Sequence, residues 1–317
     1  MSKIKLSLAS VITLLTAIVF GFISFLGINF YTLGNTAESI SKAVIISVLL
    51  CATALGAKLF KQVKGNFKTN FIGEISLLIV FTGLMIYYTY NAFGHYFVVS
   101  EKKKVIQNKL NTSVEQVQNM FSKYDKDVVK REYDYKNKLR SIVTGKNERS
   151  KDYDSCGFNQ NKHILPEKKI ELKLANLRKD LFLLNSSDTT NKNGLKEIAI
   201  TWLNNAKNDL NNWKPIGVVK VANEIELNSK NWLKKLEDTY KARQVCEGKF
   251  DDFSYSLNSS DVKNYFIGKE RPTLLSIGLA VIAYLLMLLP WYIAKRDGKG
   301  TGVGLWSNKI APYEVEL

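Results

Sequence analysis

Apolar residues gather in four long runs, and between the third and the fourth they recur instead at helical spacing. The first run, Leu6–Leu33, has no charged residue. The second, Ala43–Phe60, is interrupted only by Lys58, and a lysine near a helix end can snorkel to the membrane surface. The third is Phe71–Phe97 and the fourth Pro272–Ala294, with Pro272 suited to a first helical position. A hydrocarbon core of about 30 Å needs about 20 apolar residues in a helix. The pattern therefore predicts an all-α, polytopic membrane protein with four transmembrane helices, at about 6–33, 43–60, 71–97 and 272–294. The first run has the basic start of a signal peptide (Lys3, Lys5) but is much longer than the usual ~7–15 apolar residues and closes on no A-x-A site, so it reads as an uncleaved anchor.

Residues 98–271 follow a different rule. No Gly or Pro occurs from Glu101 to Thr144. Apolar residues fall there at Ile106, Leu110, Val114, Val117, Phe121, Tyr124, Val128, Tyr135, Leu139 and Ile142, a near-heptad stripe on one helix face. Its rise of 1.5 Å per residue predicts a helix about 65 Å long. Gly94 is the expected break between it and the third span. Further one-sided stripes predict helices over Lys168–Leu184, Leu195–Trp213 and Val218–Gln244, separated by polar loops and by the turn signal Lys214-Pro215-Ile216-Gly217. Asp251–Leu257 alternates weakly, as an extended segment would, and Ser260-Asp261 can cap a short helix over Val262–Ile267. One-sided helices must bury their stripes against one another. The expected domain is an elongated, antiparallel four-helix bundle with coiled-coil-like packing.

Charge gives these elements an orientation. The end of run two and the loop between runs two and three carry Lys58, Lys61, Lys64 and Lys68, Lys295, Arg296 and Lys299 follow run four, and Lys3 and Lys5 precede run one. The opposite short loop, Gly34–Lys42, holds only Lys42. The positive-inside rule then puts both termini and the tail 295–317 in the cytoplasm and residues 98–271 outside it, as in a bacterial inner (plasma) membrane protein. The basic edges of the domain, Lys102–Lys104 and Lys269/Arg271, oppose this, but long translocated segments obey the rule weakly. Tyr87, Tyr88, Tyr90, Tyr96 and Phe97 at one end, and Trp291 and Tyr292 at the other, sit where interfacial aromatic belts belong. Small-residue pairs, Ala17/Gly21 and Ala52/Gly56, are candidate helix-packing positions.

Of the net charge of +16, +10 lies in residues 101–271, where 34 Lys/Arg stand against 24 Asp/Glu. These charges are interleaved rather than blocked, as on solvated helix faces, and no basic motif with stacking aromatics accompanies them. Nucleic acid is therefore not an expected partner.

Candidate chemistry is sparse. The two histidines, His95 and His163, have no second ligand at metal spacing, and no G-x-S-x-G occurs. Gly298–Gly304 (G-K-G-T-G-V-G) lacks the Walker spacing and follows a span, so it reads as a connector. Sequons at Asn111, Asn185 and Asn258 carry little weight in an Asn-rich chain. Glu74 is the one acidic residue within the predicted spans, in the first turn of its helix, where it suits the helix dipole; the spans offer it no obvious charged partner. Cys156 and Cys246 are disulfide candidates if the domain faces an oxidising compartment; Cys51 lies in a span. In an antiparallel four-helix bundle those two cysteines sit at opposite ends, and the linker 145–168 would have to fold back along the bundle to join them, at ~3.3 Å per extended residue. The expected function is non-enzymatic: an integral membrane subunit of an envelope or secretion-type assembly, binding other membrane or envelope proteins and no cofactor, in a homo- or hetero-oligomer within the lipid bilayer. A membrane sensor acting through a separate cytoplasmic partner is the alternative, and a transporter or channel subunit comes behind it for want of intramembrane charge and broken helix pairs.

Overall fold

The structure, a computed structural model, describes residues 7–63, 67–161, 163–181, 194–258 and 261–296. Several sequence features lie outside these residues: Lys3 and Lys5, Lys64, Asn185, Ser260, Lys299 and the glycine-rich 298–304. The described residues are helical, with no strand among them, and divide into two compact units. The first holds residues 1–104 and 263–317, the second Val105–Val262.

In the first unit three helices are long and apolar enough to cross a membrane. They are α1 (Leu8–Tyr31), α2 (Thr36–Gln62) and α3 (Phe67–Tyr88), the last extended by a π-helical turn, Thr89–Phe93, and by α4 (Gly94–Glu101). Ser7 and Asn35 cap α1 and α2 by accepting from the Ser10 and Glu38 amides, as short polar residues do at helix N-termini. Helices α1 and α2 run antiparallel: Thr32 hydrogen-bonds Ser39 beside the turn between them, and Lys58 reaches Ser10 at 3.1 Å near the other end. Gly21 lies against α2 so closely that a Cβ there would meet Ser47 Oγ at 1.8 Å. The core between the helices is built from Ala17, Phe20, Ile46, Leu50, Ala54, Phe81, Met85 and Phe93, with Phe20 and Phe93 stacked at 4.4 Å.

The fourth apolar run is not one helix. It forms α11 (Leu274–Met287, 14 residues) and α12 (Leu289–Ile293), with the break at Leu288. Pro290 explains it: proline donates no amide hydrogen bond, and its ring crowds the carbonyl four residues earlier. The pair nevertheless runs the length of this unit, antiparallel to α3. Pro272 packs near Gly94, Tyr284 hydrogen-bonds Thr82 at 3.1 Å, and Thr13 near the start of α1 donates to the Met287 carbonyl at 2.9 Å. The short α10 (Lys263–Ile267) precedes it.

The helix break expected at Gly94 falls elsewhere. The π turn runs straight into α4 at Gly94, and the non-helical residue is Lys102, immediately before α5 (Lys103–Thr144, 42 residues).

In the second unit all ten apolar positions of the α5 stripe are buried. The other helices are α6 (Ser150–Ser155), α7 (Pro166–Leu181), α8 (Leu195–Asn211) and α9 (Pro215–Tyr240). Their directions correct the expected four-helix antiparallel bundle. Helix α7 runs antiparallel to α5, from a Lys136–Glu171 pair to a hydrogen bond from Tyr124 to the Leu181 carbonyl. Helix α8 continues along α5 in the same sense, from a Lys196–Asp125 pair to a contact of Gln107 with the Leu210 carbonyl. Two half-length helices thus share one side of α5. Helix α9 then returns parallel to α5, with Trp232 beside Phe121 and the Tyr240 hydroxyl donating to the Asp127 carbonyl. Residues 247–258 come back without regular structure along the same helices: Phe253 packs on Tyr124, and Lys123 donates to the Ser254 carbonyl at 2.6 Å. The alternation seen over Asp251–Leu257 belongs to this segment, where Phe253 is buried.

Candidate functional sites

The two units each place charged groups in their interior, and these are the chemically distinctive points of the molecule. Glu74 is 1% exposed in the first unit. It accepts from Trp291 Nε1 at 2.9 Å, and an Arg296 nitrogen stands 2.8 Å from its other carboxylate oxygen. The partner missing from the spans is therefore supplied just beyond them. Lys61, at the end of α2, donates to the Trp291 carbonyl at 2.7 Å and lies over its ring. Burying a carboxylate is costly unless it is paired and hydrogen-bonded; here Oε1 takes the hydrogen bonds, and Oε2 has the ion pair with Arg296 but no hydrogen bond. The effect of this set is to fasten the start of α3 to the segment after α12. Ser24 and Asn29, buried in α1, have no hydrogen-bond partner for their side chains.

Of the four small residues singled out for packing, Ala17 is buried and Gly21 sits at the close α1–α2 approach. Gly56 faces the Leu77 side chain of α3. Ala52 is exposed. The buried stripe of α2 runs through Ala43, Ile46, Leu50, Ala54 and Ala57, and two residues beyond Leu50 a helix has turned about 200° away.

In the second unit Cys156 and Cys246 are bridged, with Cα atoms 5.6 Å apart. The linker need not return the length of the bundle to achieve this, since the bridge lies near Tyr135, within the last three turns of α5. Because α9 runs parallel to α5, Cys246 arrives at the α5 end where α6 and Cys156 lie. Cys246 takes a positive φ of 67°, an uncommon backbone conformation for a residue with a side chain. Beside the bridge, Arg131 occupies the gap of seven between Val128 and Tyr135 in the α5 stripe. Its side chain is buried, and so is that of Glu247, to which it is paired at 2.5 and 2.8 Å. It also donates to the Tyr240 and Ala242 carbonyls, with the Phe250 ring 3.4 Å away. Glu247 in turn accepts from the Gln244 amide at 2.9 Å. Tyr135 donates to the Val245 carbonyl at 2.8 Å, and burial, with Glu247 adding to it, pushes its hydroxyl up to about 12. Arg131, Tyr135 and Cys156 together hold residues 240–247 against α5 and α6.

Alongside this clamp is an open cleft of 640 Å³ whose lining includes Lys123, Lys130 and Lys138 facing Asp127, Asp134 and Asp251. The charges balance, which suits a solvated surface better than capture of a strongly charged ligand. Among the described residues no three His, Cys, Asp or Glu side chains gather as they would around a metal ion. The Arg131 clamp and the Glu74 set were missed by reasoning from sequence. A charged residue in the stripe position skipped by the apolar pattern was the available sign of the first, and Trp291 next to a basic tail the sign of the second.

Comparisons of the chain with protein-family models, curated proteins and solved structures found no match.

Proposed function

We propose that the protein is a non-enzymatic, integral membrane subunit whose second unit serves as a rigid helical platform for other proteins of the cell envelope. In this reading α11 and α12 together form a fourth span. Their 20 residues, Leu274–Ile293, reach about 30 Å, and their contacts with α1 and α3 follow the whole height of the unit. Both termini are then cytoplasmic and the second unit is outside the cytoplasm. The disulfide supports this side, since structural disulfides persist in oxidising compartments and are rare in the cytosol.

The observation that carries the platform reading is the clamp. Bridge, buried ion pair and tyrosine bond fix the return segment to the long helix, so the unit offers partners a preformed surface and little ordering entropy is lost on binding. On α5, Val129 and Tyr133 stand one turn apart and are 61% and 65% exposed, on the side away from the buried stripe. They form a small apolar surface of the kind protein interfaces use. Photo-crosslinking from Tyr133 in native membranes tests the reading. A discrete adduct with a second polypeptide, absent when the probe is placed at exposed Lys234 on α9, is the expected result. The same diffuse labelling from both positions would contradict it.

A further inference from the structure

The π-helical turn Thr89–Phe93 borders an open cleft of 460 Å³ in the membrane unit, at the end where α1 gives way to α2. A π turn carries one residue more than the α-helix around it, and such turns recur at functional sites. Here the turn is drawn hard against α1: a Cβ on Gly27 would meet the Ala92 carbonyl oxygen at 1.8 Å. Tyr31, Tyr87 and Tyr90 line the cleft and are about half exposed or more, at 47%, 61% and 60%. Ile45 gives it an apolar wall that continues onto the exposed Val44 and Val48 of α2. Lys42 and Lys269 provide its cations. His95 closes the inner side, its Nε2 2.7 Å from the Phe266 carbonyl. Around the rim Lys42 is paired with Glu38 and Lys102 with Glu270, so Lys269 leaves the group one positive charge in excess.

We propose that this cleft binds an anionic glycerophospholipid, its phosphate between Lys42 and Lys269 and the start of an acyl chain along Ile45 and the tyrosine rings. The inference rests on the reading that α1–α3 cross a bilayer. Tyrosines and lysines at a helix end belong at headgroup level, and two lysines beside an apolar wall match the phosphate and the upper acyl chain of an anionic lipid. The volume falls within the range of small-molecule sites, which suits a glycerophosphate headgroup while the chains lie on the outer face of α2. Free phosphate would use the lysines but leave the apolar wall unoccupied.

Native mass spectrometry of the full chain, stripped of lipid in mild detergent, tests this with three probes: phosphatidylglycerol, diacylglycerol with the same chains, and inorganic phosphate. Saturable binding of one phosphatidylglycerol is expected, without comparable binding of the other two. The double variant Lys42→Ala/Lys269→Ala should weaken it about tenfold, a loss of about 1.4 kcal/mol. Lys58→Ala, at the opposite end of α2, should leave it unchanged. If the double variant loses its thermal transition, exposed Lys269→Ala alone should still weaken binding, by a smaller factor. Equal binding of diacylglycerol, or undiminished binding to the lysine variants, would overturn the site. Binding of inorganic phosphate alone would replace the lipid with a free anion. Because these readouts involve no second protein, their failure leaves the platform reading standing, and the crosslinking result does not decide them.

Discussion

Arg131 is a buried charge of the second unit whose partners come from residues 240–250. Its guanidinium sits among Glu247, two backbone carbonyls and an aromatic ring, and removing one partner of such a buried pair typically costs about 3–5 kcal/mol, because the other charge is left uncompensated. Arg131→Ala should therefore show a large fall in the denaturant midpoint of the second unit. The double variant Arg131→Met/Glu247→Met should recover part of it, since the orphaned carboxylate is gone while the two carbonyls still lack their donor. Equal losses in single and double variants would mean that packing, not charge, dominates the position. Tyr135 makes a separate pH prediction. Its folded-state value is raised from 10 to about 12, so its contribution is fully present below pH 10 and is lost as pH rises through 12. Burial moves Tyr124 and Tyr240 in the same direction. The unit should lose stability in alkali between pH 10 and 12, and Tyr135→Phe should show a shallower fall over that window, read as thermal midpoints by circular dichroism. A midpoint that held steady up to pH 12 would argue against burial of these hydroxyls.

At the scale of elements, the close approaches between helices decide which small residues matter. Gly27→Ala would drive a Cβ into the Ala92 carbonyl, a backbone atom that cannot step aside, whereas nothing lies within 4 Å of a Cβ on Gly83. Overpacking of this kind costs typically 1–3 kcal/mol, so the first substitution should lower the thermal transition in detergent and Gly83→Ala should not. Ala52→Leu should also be tolerated, because that side chain is exposed. Helix periodicity made the apolar face of α5 legible: its ten positions are all buried, with Met120 the apolar residue it did not pick out. It could not reveal helix direction. The stripes of α7 and α8 look like those of two separate bundle helices, and only their half-length hinted that they share one side of α5. The parallel course of α9 follows from that tandem arrangement, and with it the meeting of Cys156 and Cys246. The Pro290 break was visible as a residue type, but an uninterrupted apolar run hid it. The Ala52/Gly56 spacing was a true spacing of which only Gly56 meets a neighbour, the Leu77 side chain, while Ala52 is exposed.

For the molecule as a whole, the sequence pattern drew the domain at 98–271, whereas the compact units divide at 104/105 and 262/263, so that the residues flanking the apolar runs pack with the first unit. Three helices of crossing length and the π turn between the third and α4 give the first unit its character. The buried charges were less legible, since each depends on a partner distant in sequence: Glu74 on Arg296, Arg131 on Glu247. The central claim is that the second unit lies outside the cytoplasm, held by its disulfide and anchored by membrane spans. Labelling of intact cells or spheroplasts with a membrane-impermeant maleimide, before and after a membrane-impermeant reductant, tests it most directly. Cys156 and Cys246 should be unreactive at first and should both become labelled once the external reductant has opened the bridge, with intramembrane Cys51 silent throughout. Labelling of these two cysteines only after the membrane is permeabilised, or without any reductant, would contradict the account.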